Sequence, residues 1–495
     1  MKKFLSFLLV CGLCFGMIAC GSAAPADENA TTGTSEQVPA QAQFMAGFGQ
    51  GDISCTTPVP IAGGANSSER ISTGYQSYLY VHTVAVTDAQ GNTALLVSAD
   101  AIYIKEDMAE SVRDWVKKTY GIPQEYVVIS GIHQHSVPDA YNTSVPAGAA
   151  YHKVLLDGIK DSISNAMEDR APAEMQINSV NTEAMNFVRN YVCNDGSFMG
   201  DNYGSAASGI KDHESVADNQ MRLLKFVREN AEDIILVNFQ VHPHLGCTGD
   251  NRLDVHADWP GIMREQVAKE LSCKVIYFSG ASGNLNSNSR ISSENVSKDY
   301  KEHGARAAQY VLGAEGSYTS VGTGSVRAKE LTITCESDHS MDWLLDKAKI
   351  VHEARMISTE RGNEVMKDYP EIHSVFHATA IVNKAKEGPT RDVIISAVAI
   401  GDVVFTAHPY EMFDTNGVEL RNGTVGNANY DAASQQENPY AMTFIATLSN
   451  GWLGYIPSQL GYTNGGYSTD ITKYAPGTGE KLVTEYLTLI NSLYE

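Results

Sequence analysis

A run suited to a buried strand, Tyr126-Val127-Val128-Ile129-Ser130, ends in Gly131-Ile132-His133-Gln134-His135-Ser136-Val137-Pro138. A strand that stops in His-x-His delivers two imidazoles to one rim of a sheet, and imidazole nitrogen is a favoured ligand of Zn²⁺ and related ions. The pattern returns further on. Ile234-Ile235-Leu236-Val237-Asn238-Phe239 leads to His242-Pro243-His244, and His256-Ala257-Asp258 follows soon after. Three histidine-bearing loops after or near buried strands point to a metal centre, and so to hydrolytic chemistry.

The elements around these loops alternate in type. Leu79–Val86 reads as a strand, Asp88–Asn92 as a turn and Ala94–Asp100 as a buried strand. Glu106–Tyr120 is an amphipathic helix stopped by Gly121 and Pro123, and Tyr151–Met167 is a second. Met221–Val227 and Ile234–Val241 read as adjacent strands, Lys274–Phe278 as another, with a helix over Ile262–Leu271 after Pro260. Helices are expected at Glu294–Leu312, Asp342–Glu360 and Glu480–Leu493, and strands at Asp392–Ile400 and Val403–Ala407. Interleaved strands and helices predict an α/β to mixed α+β fold of layered sheets flanked by helices, in one large catalytic domain over residues 44–495.

The start of the chain predicts export. Lys2 and Lys3 precede an apolar stretch, and Met17-Ile18-Ala19-Cys20 resembles a lipobox. Residues 1–19 then read as a lipoprotein signal, and residues 20–43, rich in Ala, Thr, Ser, Glu, Pro and Gln, as a flexible tether with a lipidated Cys20. The expected location is the extracytoplasmic side of a bacterial membrane, held there by the lipid. The cysteines are odd in number after such cleavage and widely spaced, which argues against a disulfide framework. A net charge of −22 is unfavourable for nucleic acid.

Several residues past strand ends carry two readings each. Asp100 can orient a ligand imidazole or cap a turn. Asp258, in His256-Ala257-Asp258-Trp259-Pro260-Gly261, can serve a site or act as a helix N-cap. The turn Gly280-Ala281-Ser282-Gly283 can offer backbone amides to an oxyanion or simply join a strand to the next element. Cys247 can be a ligand or a small buried thiol. Glu411, beyond Phe405-Thr406-Ala407-His408-Pro409-Tyr410, can complete a metal shell or act as a base.

Taken in order, these segments resemble the neutral/alkaline non-lysosomal ceramidase family. Phe48-Gly49-Gln50-Gly51-Asp52-Ile53 is similar to its opening strand, and Val59-Pro60-Ile61-Ala62-Gly63 and Ser98-Ala99-Asp100 also match. Gly131-Ile132-His133-Gln134-His135-Ser136 resembles the Thr-His-Thr-His-Ser-Gly-Pro signature, with Gln134 for Thr and Val137 before Pro138. Phe187-Val188-Arg189-Asn190 resembles an Asn-Arg-Arg segment, and Asn238-Phe239-Gln240-Val241-His242 the second histidine segment. His256 to Gly261 is similar to Ser-Ala-Asp-Tyr-Pro-Gly and Pro409-Tyr410-Glu411 to Pro-Gly-Glu. Ser449 to Pro457, followed by Gly465-Gly466-Tyr467, corresponds to the late Asn-x-Tyr-x-x-Tyr region.

The resemblance implies a zinc site of His133, His242, Glu411 and Tyr455, with Trp452 in a second tyrosine position that cannot ligate. It implies catalytic roles for His135 beside the metal, Arg189, Asp258 and Asn286. The implied activity is hydrolysis of an amide bond in an N-acyl, ceramide-like lipid by a zinc-activated water. Alternatives are hydrolysis of a different amide or ester, or a surface metal-binding or ligand-binding lipoprotein without catalysis. Two departures are visible. Gly283-Asn284-Leu285-Asn286-Ser287-Asn288 stands where the family has Gly-Asp-x-Ser-Pro, so Asn286 takes the serine position. The expected architecture also lacks the family's C-terminal β-sandwich.

Overall fold

Three glycines near the start of the body decide how the first helix layer seats. In the strand β1 (Met45–Asp52), Gly47, Gly49 and Gly51 alternate with larger residues and so share one face. Two helices, α1 (Glu106–Tyr120) and α2 (Pro146–Glu168), cover that side of the sheet. A Cβ on Gly49 would fall 1.9 Å from the carbonyl oxygen of Ser162 in α2, and on Gly47 and Gly51 at 2.2 and 2.0 Å from those of Ala166 and Gly158. The Gly-x-Gly-x-Gly run therefore lets α2 lie directly on the strand backbone.

The computed structural model describes residues 43–63, 67–200, 206–247, 252–425 and 436–494. The expected signal, lipobox and nearly all of the tether fall outside them. β1 pairs with β2 (Tyr80–Thr87), β2 with β3 (Thr93–Ala99), and β3 in parallel with β4 (Val127–Gly131). On its other side β1 meets β5 (Ala171–Asn181), followed by β6 (Gln220–Arg228), β7 (Ile234–Phe239) and, parallel to β7, β8 (Lys274–Ser279). A short β9 (Thr319–Val321) also pairs with β5. A second sheet runs β10 (Val326–Glu336), β11 (Thr390–Ile400), β12 (Val403–His408) and β13 (Met442–Thr447).

The side-chain alternation of strands sorts the cores. Val84 and Val86 of β2 join Phe405 of β12 and Phe444 of β13 between the two sheets, while Val81 and Ala85 turn to α1 and α2. The other half of the large sheet is covered by α3 (Asp258–Leu271) and α4 (Tyr300–Gly313) through Val237, Phe239, Met263 and Val311. Helices α5 (Leu345–Ile357), α6 (Thr359–Met366) and α7 (Val375–Lys384) form a small unit with its own apolar core. Beyond α8 (Asp414–Asn422) and the short α9 (Gln459–Asn464) and α10 (Tyr467–Ile471), the long α11 (Thr478–Tyr494) joins α8 against the outer face of the second sheet. The result is a mixed α/β architecture of layered sheets flanked by helices.

Some elements differ from expectation, each for a local reason. The helix expected from Glu294 begins at Tyr300, because Asp299 caps the amides of Lys301 and Glu302. The helix expected over Asp342–Glu360 breaks at Ser358, whose hydroxyl caps Arg361 and starts α6. Among the described residues no helix is long and apolar enough to cross a membrane, and Cys55, Cys247, Cys273 and Cys335 are free thiols.

The large sheet curls. β3 and β8 lie far apart along its hydrogen-bonded path, yet the Ser98 hydroxyl of β3 donates to the Tyr277 carbonyl of β8. β13 ties both ends: Ser130 Oγ donates to Thr447 O at 2.8 Å and Asn238 Nδ2 to Ile445 O at 2.8 Å. The loops after β4 and β7 are thereby brought to one rim.

Candidate metal centre and cavity

His133 follows β4 with its backbone in the left-handed region, at φ +64°. Few residues with a side chain adopt that conformation, and such strain gathers at functional sites. Its Nδ1 lies 3.0 Å from the carbonyl oxygen of Ile102. A carbonyl only accepts, so Nδ1 carries the proton and Nε2 presents a bare lone pair. Asp100 does not perform this orienting role. Its carboxylate is taken by Arg264, at 2.8 Å from both oxygens, and by the Tyr80 amide.

His242 arrives from the other end of the sheet path and is set the same way, with Nδ1 2.9 Å from Leu285 O. The Nε2 atoms of His133 and His242 converge on one oxygen, Glu411 Oε2, at 3.2 and 3.3 Å. All three side chains are buried. Burial lowers the His242 imidazole to about 4, although Glu411 pulls the other way. Burial opposes charge on Glu411, but the two histidines outweigh it and hold the carboxyl well below its usual range. Neutral imidazoles and an ionised carboxylate are the forms that bind a divalent metal. Nitrogen and oxygen ligands on a tetrahedral zinc stand roughly 3.3–3.5 Å apart, from the usual bond lengths. The separations here fit that spacing, so these residues suit a zinc-like ion.

Glu411 begins a two-residue parallel pairing, Glu411–Met412 with Tyr455–Ile456, that sets it directly opposite Tyr455. The approach is close behind it as well. A Cβ on Gly283 would sit 2.8 Å from the Glu411 carbonyl, and the Gly283 amide donates to Met412 O at 2.7 Å. The Gly280 amide is likewise spent, on Phe239 O. Both glycine amides of the turn are therefore engaged in packing, and Gly283 holds Glu411 from behind. Burial and Glu411 raise the Tyr455 phenol well above its ordinary value, with Arg189 opposing, so Tyr455 keeps its proton at neutral pH. The Arg189 guanidinium lies 5.4 Å from the Tyr455 ring centre and donates to Ser468 Oγ at 2.6 Å.

His135 stands beside the pair. One ring nitrogen of each of His133, His135 and His242 lies within 4.8 Å of the other two. Its Nδ1 is 3.2 Å from Gly63 O and its buried Nε2 has no hydrogen-bond partner. Burial holds its pKa well below that of a free histidine. Asn286 is buried in a short antiparallel pairing with Phe187, next to the Leu285 carbonyl that orients His242.

Two expected residues face elsewhere. Asp258 is the first residue of α3, after Ala257, and does not serve as its N-cap. Its carboxylate accepts the amides of Gly246 and Trp259, each at 2.8 Å, and burial raises it to about 6. The His256 ring stacks on Tyr300 at 4.3 Å, and its Nδ1 accepts the Asp258 amide. That loop acts through its backbone: the His256 carbonyl accepts Gln134 Nε2 at 2.7 Å and so steadies the His133–His135 segment. Cys247 donates to His244 O, and burial raises its thiol to about 11, which suits a packed thiol rather than a ligand.

A cavity of about 980 Å³ opens over the site. His133, His135, Glu411 and Tyr455 line one part of it, and α5 to α7 contribute another. Trp452 stacks flat on Tyr103 at 4.4 Å in its wall. Tyr467, also lining it, sets its ring 6.0 Å from that of Tyr455. The sequence signal for Tyr467 was the Gly-Gly-Tyr run, whereas nothing local marked α7. A second group, His373, His377 and Asp470, lies nearby. The two rings stack at 24° and 4.6 Å, and His373 Nδ1 makes a direct 2.7 Å bond to Asp470.

Residues 44–272 match the family "Neutral/alkaline non-lysosomal ceramidase, N-terminal". Neutral ceramidase 1 of Arabidopsis thaliana is 29% identical over 211 residues, 39% of this chain and 25% of that protein. Neutral ceramidase of Oryza sativa subsp. japonica is 26% identical over 201 residues, 37% of this chain and 24% of that protein. The chain thus covers about a quarter of the length of the curated relatives it matches. The solved neutral ceramidase from Pseudomonas aeruginosa superposes with a TM-score of 0.66 at 16% identity, over 91% of this chain and 74% of that one. A ceramidase complexed with C2 superposes at 0.65 and 16% identity, over 92% and 75%. Residues 44–272 belong to the neutral/alkaline non-lysosomal ceramidase N-terminal family, and the described body carries the neutral ceramidase fold.

Proposed function

We propose that this chain is an exported, lipid-anchored, metal-dependent hydrolase that cleaves the amide bond of an N-acyl, ceramide-like lipid. The observation that carries the reading is the convergence of the His133 and His242 Nε2 lone pairs on Glu411 Oε2. His133, His242 and Glu411 would hold the ion, with Tyr455 at its edge. Zinc, when bound, would activate a water and polarise the scissile carbonyl.

The chain's own groups supply the rest. His135 has Nδ1 on the Gly63 carbonyl, so its Nε2 can take a proton and pass it to the leaving amine, which does not depart as an anion. Tyr455 keeps its proton and donates a hydrogen bond to charge developing on the carbonyl oxygen, with Arg189 close behind its ring. Tyr103 and Trp452 offer an aromatic wall for an apolar chain.

The test is turnover of N-acyl-sphingosine beside short acyl amides and esters, before and after chelation. Amide cleavage lost on chelation and restored by zinc supports the reading, and cleavage of esters alone contradicts it. Asn286 favours a second reading, a metal-binding surface lipoprotein without catalysis, because an amide side chain is no nucleophile. Stoichiometric metal with no turnover of any amide or ester would establish that reading.

A further inference from the structure

The chain holds 36 lysines and arginines against 58 aspartates and glutamates, yet one wall of the cavity reverses that balance. Arg355, Lys384, Arg391 and Lys473 line it, whereas the lining carboxylates are Asp139 and Glu411, the latter turned to the histidines. Three of the four cations are met by acids that do not line the cavity. Lys384 pairs with Asp338 at 2.7 Å, and Arg391 and Lys473 share Glu387. Arg355 has no such partner: among the described residues, no carboxylate lies within ion-pair distance of its guanidinium.

The Arg355 side chain is nonetheless held in place. Its Nη1 donates to Thr379 Oγ1 at 2.7 Å, and the guanidinium lies 4.7 Å from the Phe376 ring centre. The Thr379 hydroxyl is itself anchored on Val375 O at 3.0 Å. Arg355, Thr379 and Phe376 all line the cavity that holds His133 and Glu411. A guanidinium has five donors in a planar fork, and a single bond to Thr379 leaves the fork available for a two-oxygen anion.

We propose that the substrate carries an anionic oxygen group (a carboxylate, phosphate or sulfonate) and that Arg355 binds it. An acyl chain bears no charge, so the anion belongs to the amine half. The proposal rests on the amide-hydrolase reading and names the substrate class for it.

The experiment uses two amphiphiles of equal chain length, N-lauroyl-glycine and N-lauroyl-ethanolamine, with N-lauroyl-phosphoethanolamine as a third arm. Each is titrated below its micellar concentration onto the zinc-supplied full chain, its Arg355→Gln variant and its Arg355→Lys variant. The wild type is expected to bind an anionic compound about tenfold more tightly than the neutral one, with the advantage shrinking as salt rises. Arg355→Gln is expected to abolish that preference while leaving the neutral compound's affinity unchanged. Arg355→Lys retains the charge and is expected to keep part of the preference. The ranking of the glycine and phosphate arms identifies the anion. Equal wild-type affinity for charged and neutral heads, or parallel loss of both in Arg355→Gln, would overturn the proposal. Turnover of the same compounds is read separately. Anion-selective binding without hydrolysis contradicts the hydrolase reading alone, and hydrolysis without head preference contradicts the anion site alone.

Discussion

Nε2 of His133 stands 3.2 Å from Oε2 of Glu411, the same oxygen that Nε2 of His242 approaches at 3.3 Å. Glu411→Gln removes the shared anionic ligand. The variant should lose the stabilisation that zinc gives the wild type, about 2.7 kcal/mol at a hundredfold excess of metal over Kd. Scanning calorimetry with and without zinc reads the difference.

Gly49 leaves room for the Ser162 carbonyl at the β1–α2 contact. Gly49→Ala should cost at least about 1–3 kcal/mol, because backbone rather than a flexible side chain must yield. Denaturant unfolding measures the cost, and the same change at the open Gly313 serves as the control.

Lys384 and Asp338 form a buried ion pair at 2.7 Å. Burial would raise the Asp338 pKa, but Lys384 and Ser340 overcome it and hold the carboxyl below its ordinary value. Its stabilising contribution is therefore present above about pH 4 and lost as pH falls further. Lys384→Met strands the carboxylate and should cost about 3–5 kcal/mol at neutral pH, less under acid conditions where Asp338 can take a proton. Urea unfolding at pH 7 and pH 4 checks both the size and the trend.

The hydrogen bond that His373 donates to the Asp470 carboxylate raises the His373 pKa, against the effect of burial. The stabilisation from this pair is complete below the unfolded histidine value near 6.5 and disappears as pH rises through the higher folded value. The difference in melting temperature between wild type and Asp470→Asn should be largest near pH 6 and narrow by about pH 8.5. A gap that widens with pH would contradict the assignment.

The strands Ala94–Asp100, Ile234–Phe239, Lys274–Phe278 and Val403–Ala407 were legible because burial on both faces makes them continuous apolar runs. β5 and β10 were not. In β5 only Met175 is buried, and β10 carries Arg327, Lys329 and Glu330, so neither shows a clean period. The histidine loops were legible as candidate ligands, but the curl that joins His133 to His242 has no local signature. The Ser98–Tyr277 bond that reports it connects strands far apart in the sheet order. Asp258 and His256 belonged to a recognisable segment, yet their hydrogen bonds turn them toward Gly246 and Tyr300. The cationic wall of the cavity was invisible because Arg355 and Arg391 come from different elements and only the fold puts them together.

The most direct measurement is the metal content of purified residues 43–495 beside the His133→Ala variant, after zinc is supplied and excess removed. Close to one zinc per wild-type chain and almost none in the variant are expected, with matching far-ultraviolet circular dichroism. Equal metal in both, or none in either, would contradict a metal centre at His133, His242 and Glu411.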